Sequence, residues 1–337
     1  MSRVIKIHDG GVMSADGLFS EQLCMQAAAS MTGDALVLLW RREEPAVGVG
    51  RFHRVPERAS RIERRLTGGR CISVGPGVLG MTSVLASTAW LGGSGQLRPE
   101  QFLNRALRPL LSTLRDLGVD AFYPGRDLIT VGGRALAHAS FSVAPDGVFI
   151  MEAHLGLQHR ISDFAQLLAE VDGSGVVSTS ADPLAGAVAL GELLTLPAGD
   201  LWPVLLAEAC ERVFACVVDA GGARWPKAGL VANAAAFTAF QTESGPVPGG
   251  HAVASAFGQL GVVDCSARVE DCRLRGLRIN GDIIAPFHTI DELCDRLEGH
   301  ELCEAALRAE VAEVLARPGN FVLGAPDLAG LISRLAC

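Results

Sequence analysis

Lysine is almost missing from this chain: of 337 residues only Lys6 and Lys227 are lysines, so nearly all of the 29 basic side chains are arginines. Uninterrupted apolar runs of membrane-spanning length are missing too, and the basic start MSRVIKIHDGGVMS is not followed by the apolar core of a signal peptide. A soluble cytoplasmic protein without membrane contact is therefore expected. The nine cysteines, at 24, 71, 210, 216, 265, 272, 294, 303 and 337, form no CxxC pair and no cluster of zinc spacing. That excludes a zinc-finger reading and leaves reduced, mostly buried thiols. Neither GxxxxGK[ST] nor a GxGxxG turn leading into a helix occurs, which removes the P-loop and the dinucleotide-binding fold. A net charge of −8 argues against nucleic acid as a general partner, and no internal repeat or low-complexity tract is visible.

What is present can bury a sizeable core: 49% of residues are hydrophobic and 20% charged, and the length allows two domains. LFSEQLCMQAAAS (18–30) carries helix formers in an amphipathic pattern, with Ser20 as an early cap. ALVLLWRR (35–42) and AVGVGRF (46–52) read as strands, and PERASRIERRL (56–66) as a polar helix. PEQFLNRALRPLLSTLRDLG is a helix that Pro109 interrupts. Three strand-like stretches follow, DLITVGG, ALAHASFSV and GVFIMEAHLGL, the last two joined by the hairpin signal Asp146-Gly147. A helix over 203–219 comes next.

Interleaved strands, helices and hairpins predict an α+β fold, a mixed, largely antiparallel sheet with packed helices. QTESGPVPGGHA (241–252) reads as a linker between a first domain, 1–240, and a small C-terminal α/β domain, 253–337, of strands and three helices.

The acidic chain carries a locally basic stretch. Between Arg41 and Arg70 stand nine arginines against four glutamates. A solvated helix face accounts for Arg54, Arg58, Arg61 and Arg65 as well as an anion site does. The turn RRLTGGR (64–70) is different: glycines expose backbone N–H groups next to guanidinium, which is the chemistry of a phosphate or carboxylate cradle, and equally of a tight structural turn.

In order along the chain, GLFSEQLCMQ, AVGVGRFHR, RRLTGGRCISVGPGVLG and PGRDLITVGGRALAHAS resemble the opening helix, the IGRxQN strand end, the RRx[ST]GGGAVxHxxGxLN turn and the GRNDLxxxGKKIxGSA hairpin of the lipoate–protein ligase family. VEDCRLRGLRINGDII with the helix after it is similar to the accessory domain of the two-domain ligases. The resemblance implies a biotin/lipoate ligase-like fold. It also implies a function: ATP- and magnesium-dependent activation of lipoate or octanoate as an acyl-adenylate, then transfer of the acyl group to a lysine of a lipoyl-domain or glycine-cleavage-H-like carrier protein. On that mapping Arg65, Gly68 and Gly69 lie along the acyl and phosphate pocket, Arg126 and Asp127 fall on the GRND segment without its Asn, and Ile72, Val74 and Met151 wall the acyl tunnel.

The segment GGRALAHAS (132–140) departs from the pattern where it matters most. The lysine that the family places against carboxylate and phosphate is Ala135 here. Arg134 precedes it, but strand alternation turns neighbours to opposite faces unless a bulge intervenes. The same alternation puts His138, at a family glycine, on the face of Arg134. Arg70 replaces the third glycine of the turn and is a second candidate to supply the missing charge. Glu152-Ala153-His154 stands at an altered HGT-like segment.

A cysteine nucleophile is not offered after the hairpin, since no cysteine occurs between Cys71 and Cys210, and Cys71 reads as a small residue buried under the turn. His53, His138, His154 and His159 lack the spacing of a metalloprotease helix, so no metal ligand set is expected. Two functions remain open: a divergent ligase in which Arg70 or Arg134 serves as the catalytic cation, or a disabled relative that binds an acyl group, an acyl-adenylate or a lipoyl carrier.

Overall fold

The structure, a computed structural model, describes residues 4–54, 61–92, 97–163, 186–198, 201–220, 234–242, 247–286 and 288–336. Strand β1 (Val4–Val12) leads into helix α1 (Ala15–Thr32). The helix begins where Ser14, in extended backbone, accepts the Gly17 N–H at 3.2 Å, and it ends at Gly33, whose φ of 76° suits a glycine. Ser20, expected as a cap, therefore lies inside the helix.

Strands β2 (Ala35–Arg41), β3 (Ala46–Val49), β4 (Ile62–Arg64), β5 (Ile72–Val74) and β6 (Val78–Leu85) follow. The helix expected over 56–66 is corrected: residues 62–64 form β4, which pairs in parallel with β3, and this pairing overrides the local helix formers. Residues 55–60 lie outside the described ones.

Helices α2 (Pro99–Ala106) and α3 (Arg108–Asp116) are the expected single pattern broken at Leu107, because Pro109 has no N–H to continue the ladder and fits only the first turn of a new helix. Then come β7 (Leu128–Val131), β8 (Arg134–Val143), β9 (Phe149–Gly156), helix α4 (Trp202–Phe214) and β10 (Val217–Asp219). The helix expected over 203–219 thus stops at Phe214, where Ala215 takes a left-handed φ of 47°, and its last residues pair with β1.

The seven-stranded sheet has the order β10-β1-β2-β6-β9-β8-β7, parallel across β10-β1-β2 and antiparallel from β2 onwards. With helices on both faces it is the α+β architecture that the strand and helix pattern predicted. Alternation sorts its side chains. Met81, Phe141, Met151 and Ala153 join Leu103, Leu110 and Leu206 of α2, α3 and α4 in the main core. On the other face α1 packs Leu18, Met25 and Ala29 against Leu36, Leu38 and Ile150. Next to α1 the same face is polar: Thr82 and Ser140 both pair with Glu152, and His138 pairs with His154.

Helix α5 (Ala234–Thr242) precedes a three-stranded antiparallel sheet of β11 (Ala252–Phe257), β12 (Val262–Glu270) and β13 (Arg273–Gly281). Gln241 and Thr242, expected in the linker, complete α5, and Ala252 opens β11. Helices α6 (Thr289–Leu297), α7 (Glu304–Leu315) and α8 (Leu328–Ser333) cover this second sheet around its own cluster of Val263, Ile279, Leu293 and Leu307. Among the described residues no helix is long and apolar enough to cross a membrane.

The C-terminal residues grip the glycine-rich turn directly. Gly69 N–H donates to the Ile283 carbonyl at 2.7 Å, Gly281 N–H to Phe52 at 3.0 Å, and Ser142 Oγ to Ala285 at 2.9 Å. Two buried ionic contacts add to this, Arg54–Asp264 at 2.6 Å and His53 Nε2–Asp282 at 3.0 Å. The approach is close enough that a Cβ on Gly68 would sit 2.1 Å from the Ile283 oxygen. Gly68→Ala is expected to cost about 1–3 kcal/mol by overpacking, read as a lowered midpoint in chemical denaturation; an unchanged midpoint would show that this backbone contact is not held in solution.

Candidate functional site

The turn between β4 and β5 is organised from within by Arg65. Its buried guanidinium donates to the carbonyls of Gly48 (2.7 Å), Gly68 (2.9 Å) and Arg70 (2.8 Å), which joins the turn to β3 and leaves Nε without a partner. Burial pulls its pKa below the ordinary arginine value and Glu152 opposes that pull. Arg70 turns the other way: Nε and Nη2 bind the two Asp127 oxygens at 2.5 and 2.9 Å, while Nη1 is unpartnered. Burial works against charge on both groups, but the bidentate geometry makes them an ion pair, so most of the Arg70 charge is spent.

Glu152 ties three elements together. Oε2 accepts from the Thr67 N–H (2.9 Å) and hydroxyl (2.6 Å), and Oε1 accepts from Gln22 Nε2 of α1 (2.9 Å). Because the Thr67 proton goes to Glu152, the Ser140 hydroxyl at 2.6 Å is the donor to Thr67 Oγ1. Trp40 lies over β6 with its indole N–H on Thr82 at 3.2 Å, a placement that requires glycine at residue 80, where a Cβ would be 2.2 Å from the ring.

Two neutral histidines complete the polar face. His138 and His154 have ring centroids 5.9 Å apart, and the His154 ring stands edge-on to Trp40. Burial, reinforced by the Arg65 charge, holds both well below the ordinary histidine pKa. Although His138 is fully buried, neither of its ring nitrogens has a hydrogen-bond partner; His154 Nδ1 is unpartnered as well. The Asp127 carboxylate stays 3.7 Å from His138 Nε2, beyond hydrogen-bond reach.

Beside this face opens a small pocket. Its apolar wall is Leu18, Phe19, Trp40, Val74 and Phe237; its polar wall is Gln22, Glu63, Arg64, Arg65, Glu152, His154 and Gln241. Helix α5 roofs it, with Phe237 and Phe240 on Phe19 (5.6 and 4.7 Å between centroids) and the Gln241 side chain accepting the Arg64 N–H at 2.7 Å.

Of the residues singled out in the sequence, Arg65, Gly68, Gly69, Arg70, Asp127 and His138 converge at the turn. Val74 lines the pocket, and Ile72 packs with Val74, Leu128 and Ala135 in an adjoining apolar cluster. Met151 does not join them, because Glu152 and His154 point into the site and alternation sends Met151 into the opposite core. Arg126 is exposed. Arg134 is also at the surface, where it donates to the carbonyls of Gly186 (3.3 Å) and Ala187 (3.1 Å) and lies 3.7 Å from Glu192, so it does not reach the turn.

A bulge corrects the expected strand alternation. Ile129 faces Ala137 but Thr130 faces Ala135, which leaves Leu136 as an extra residue of β8. His138 opposite Leu128 and Ala135 opposite Thr130 consequently share a face, and Arg134 does not share it. Gln22, Trp40 and Phe237 were not singled out in the sequence; Glu152 and His154 were named only at the altered HGT-like segment and, for His154, in the rejected metal reading.

No family model and no curated protein sequence matches this chain. Among solved structures it is similar to LipL1 of P. falciparum in complex with lipoate, at a TM-score of 0.61 and 12% identity over 94% of this chain and 95% of that one. It is also similar to a bi-partite lipoate protein ligase from Thermoplasma acidophilum, described with its E2 lipoyl domain, at a TM-score of 0.51 and 12% identity over 71% and 97%. The fold is therefore that of the lipoate ligase type.

Two measurements test the electrostatics. Asp127→Asn strands a buried guanidinium and is expected to cost about 3–5 kcal/mol, whereas the paired replacement Arg70→Met with Asp127→Leu costs much less; equal losses in denaturation midpoints would contradict the ion pair. The second concerns His53. Burial opposes its protonation, but the neighbouring Cys71 thiol and Asp282 raise its pKa to about 10. Its stabilising contribution is then complete below the unfolded value of about 6.5 and is lost as pH rises through about 10. The loss of melting temperature caused by His53→Gln should accordingly be larger at pH 6 than at pH 10; a pH-independent loss would remove the charged histidine.

Proposed function

We propose that this chain is a divergent lipoate– or octanoate–protein ligase, acting in the cytoplasm with ATP and magnesium. The observation that carries this reading is a pocket with one apolar and one polar wall, whose polar wall holds the buried Arg65 guanidinium, with its Nε unpartnered, and the neutral His154. An apolar chain ending in a carboxylate matches both halves. The lipoate in the P. falciparum structure and the lipoyl domain described with the archaeal ligase support the substrate and the carrier.

In this reading the acid's carboxylate oxygen attacks the α-phosphorus of ATP and the bond to pyrophosphate breaks. The carrier lysine nitrogen then attacks the acyl carbon, AMP leaves, and the amine proton passes to solvent. Arg65 and Arg70 bind the negative charge at the turn, Gly68 and Gly69 let the turn lie close against Ile283 and His138, and Trp40, Val74 and Phe237 exclude water from the chain of the acid. Ile72 and Ala135 back that wall. Magnesium would neutralise phosphate charge; among the described residues no group of three or more His, Cys, Asp or Glu is placed to hold a metal, so no residue is assigned to it. Residues 1–240 form the catalytic domain of this proposal and 253–337 its accessory domain.

One observation favours a binding protein instead. Ala135 is packed among Ile72, Val74 and Leu128, Lys6 is paired with Asp34 far from the turn, and the second lysine, Lys227, lies outside the described residues. Intact-mass analysis of a lipoyl domain after incubation with this chain, ATP, magnesium and lipoate or octanoate separates the two. An ATP-dependent acyl adduct is the expected result, with Arg134→Ala active. A domain of unchanged mass, together with measurable binding of the acid, would make the chain a binding protein.

A further inference from the structure

We infer that His138 contacts the anionic end of the bound ligand, doing at the turn what a lysine at residue 135 would do. The inference rests on the acyl-ligand reading above only for the identity of the anion, a carboxylate or a phosphate; the site itself is defined by geometry.

Three observations single out this side chain. Both of its ring nitrogens lack a partner although the residue is completely buried, a state that is costly unless something else satisfies them. The bulge at Leu136 puts His138 on the face of Ala135, with Leu128, while Arg134 points to solvent. Nε2 faces the glycine-rich turn at Gly69, where a Cβ would lie 3.1 Å from that nitrogen, so only a glycine lets the turn come this close to it.

The surroundings fix the charge of the partner. Around His138 stand Arg65, Arg70, Asp127 and His154. Asp127 is consumed by Arg70, and Glu152, farther along the same face, by Thr67 and Gln22. What remains without a partner is Arg65 Nε, Arg70 Nη1 and the single ring N–H of the neutral histidine, donors that a ligand rich in acceptor oxygens satisfies and a cation does not. Burial and the Arg65 charge keep His138 neutral, so it serves as an N–H donor that adds no further charge.

A residue kept for a ligand leaves a signature that a structural residue does not. His138→Leu removes an unsatisfied polar group, so the variant should melt at or above the wild-type temperature and yet bind anions ~10- to 100-fold more weakly, the worth of a hydrogen bond to a charged group. Isothermal titration of the full chain with octanoate, octan-1-ol and inorganic phosphate, on wild type, His138→Leu and His138→Gln, reads this directly. Expected are octanoate binding stronger than octanol, loss of that preference in His138→Leu, and partial retention in His138→Gln. If His138→Leu binds octanoate like the wild type, the inference is overturned and the ligase reading stands. If the wild type ignores octanoate but binds phosphate through His138, the inference stands and the acyl reading falls. If it binds neither, both fall.

Discussion

The Arg65 guanidinium, held by three carbonyl oxygens, is the contact on which the site depends. It closes the turn onto β3, and with the turn fixed the Thr67 N–H and hydroxyl meet Glu152, Gly69 faces His138, and Arg70 is aimed at Asp127. A buried cation satisfied by backbone dipoles acts here as a structural core for seven residues too polar and too rich in glycine to fold by burying side chains. Charge is thereby divided between two tasks. Arg65 spends most of its donors on the chain itself and Arg70 binds a carboxylate through Nε and Nη2, which leaves Arg65 Nε and Arg70 Nη1 without partners.

The architecture was legible because it rests on patterns with a simple period. The apolar strand 35–42, the Asp146-Gly147 hairpin and the break at Pro109 each follow from local chemistry. Where prediction failed, non-local pairing decided. Residues 62–64 are strand because β3 offers them a ladder, and 217–219 because β1 does. The turn was also legible as a turn, through its glycines and arginines.

Its detail was not legible. No residue of β8 announces that Leu136 is supernumerary, and one extra residue reverses which side chains meet. Met151 was recoverable in principle, since placing Glu152 and His154 toward the site already sends the residue between them away. Gln22 and Phe237 come from helices distant in sequence, so their part in the pocket needed the packing of α1 and α5 around it.

The 2.1 Å that separates an imagined Cβ on Gly68 from the Ile283 oxygen has a thermodynamic meaning. Residues 281–285 lie directly on the backbone of the turn, with no side chain between them. Whatever stiffens the turn is therefore returned in equal measure to the hold of the C-terminal sheet on the rest of the chain. Order in the turn and cohesion between the two sheets are in this way two readings of one coupling, and a change on either side is felt on the other.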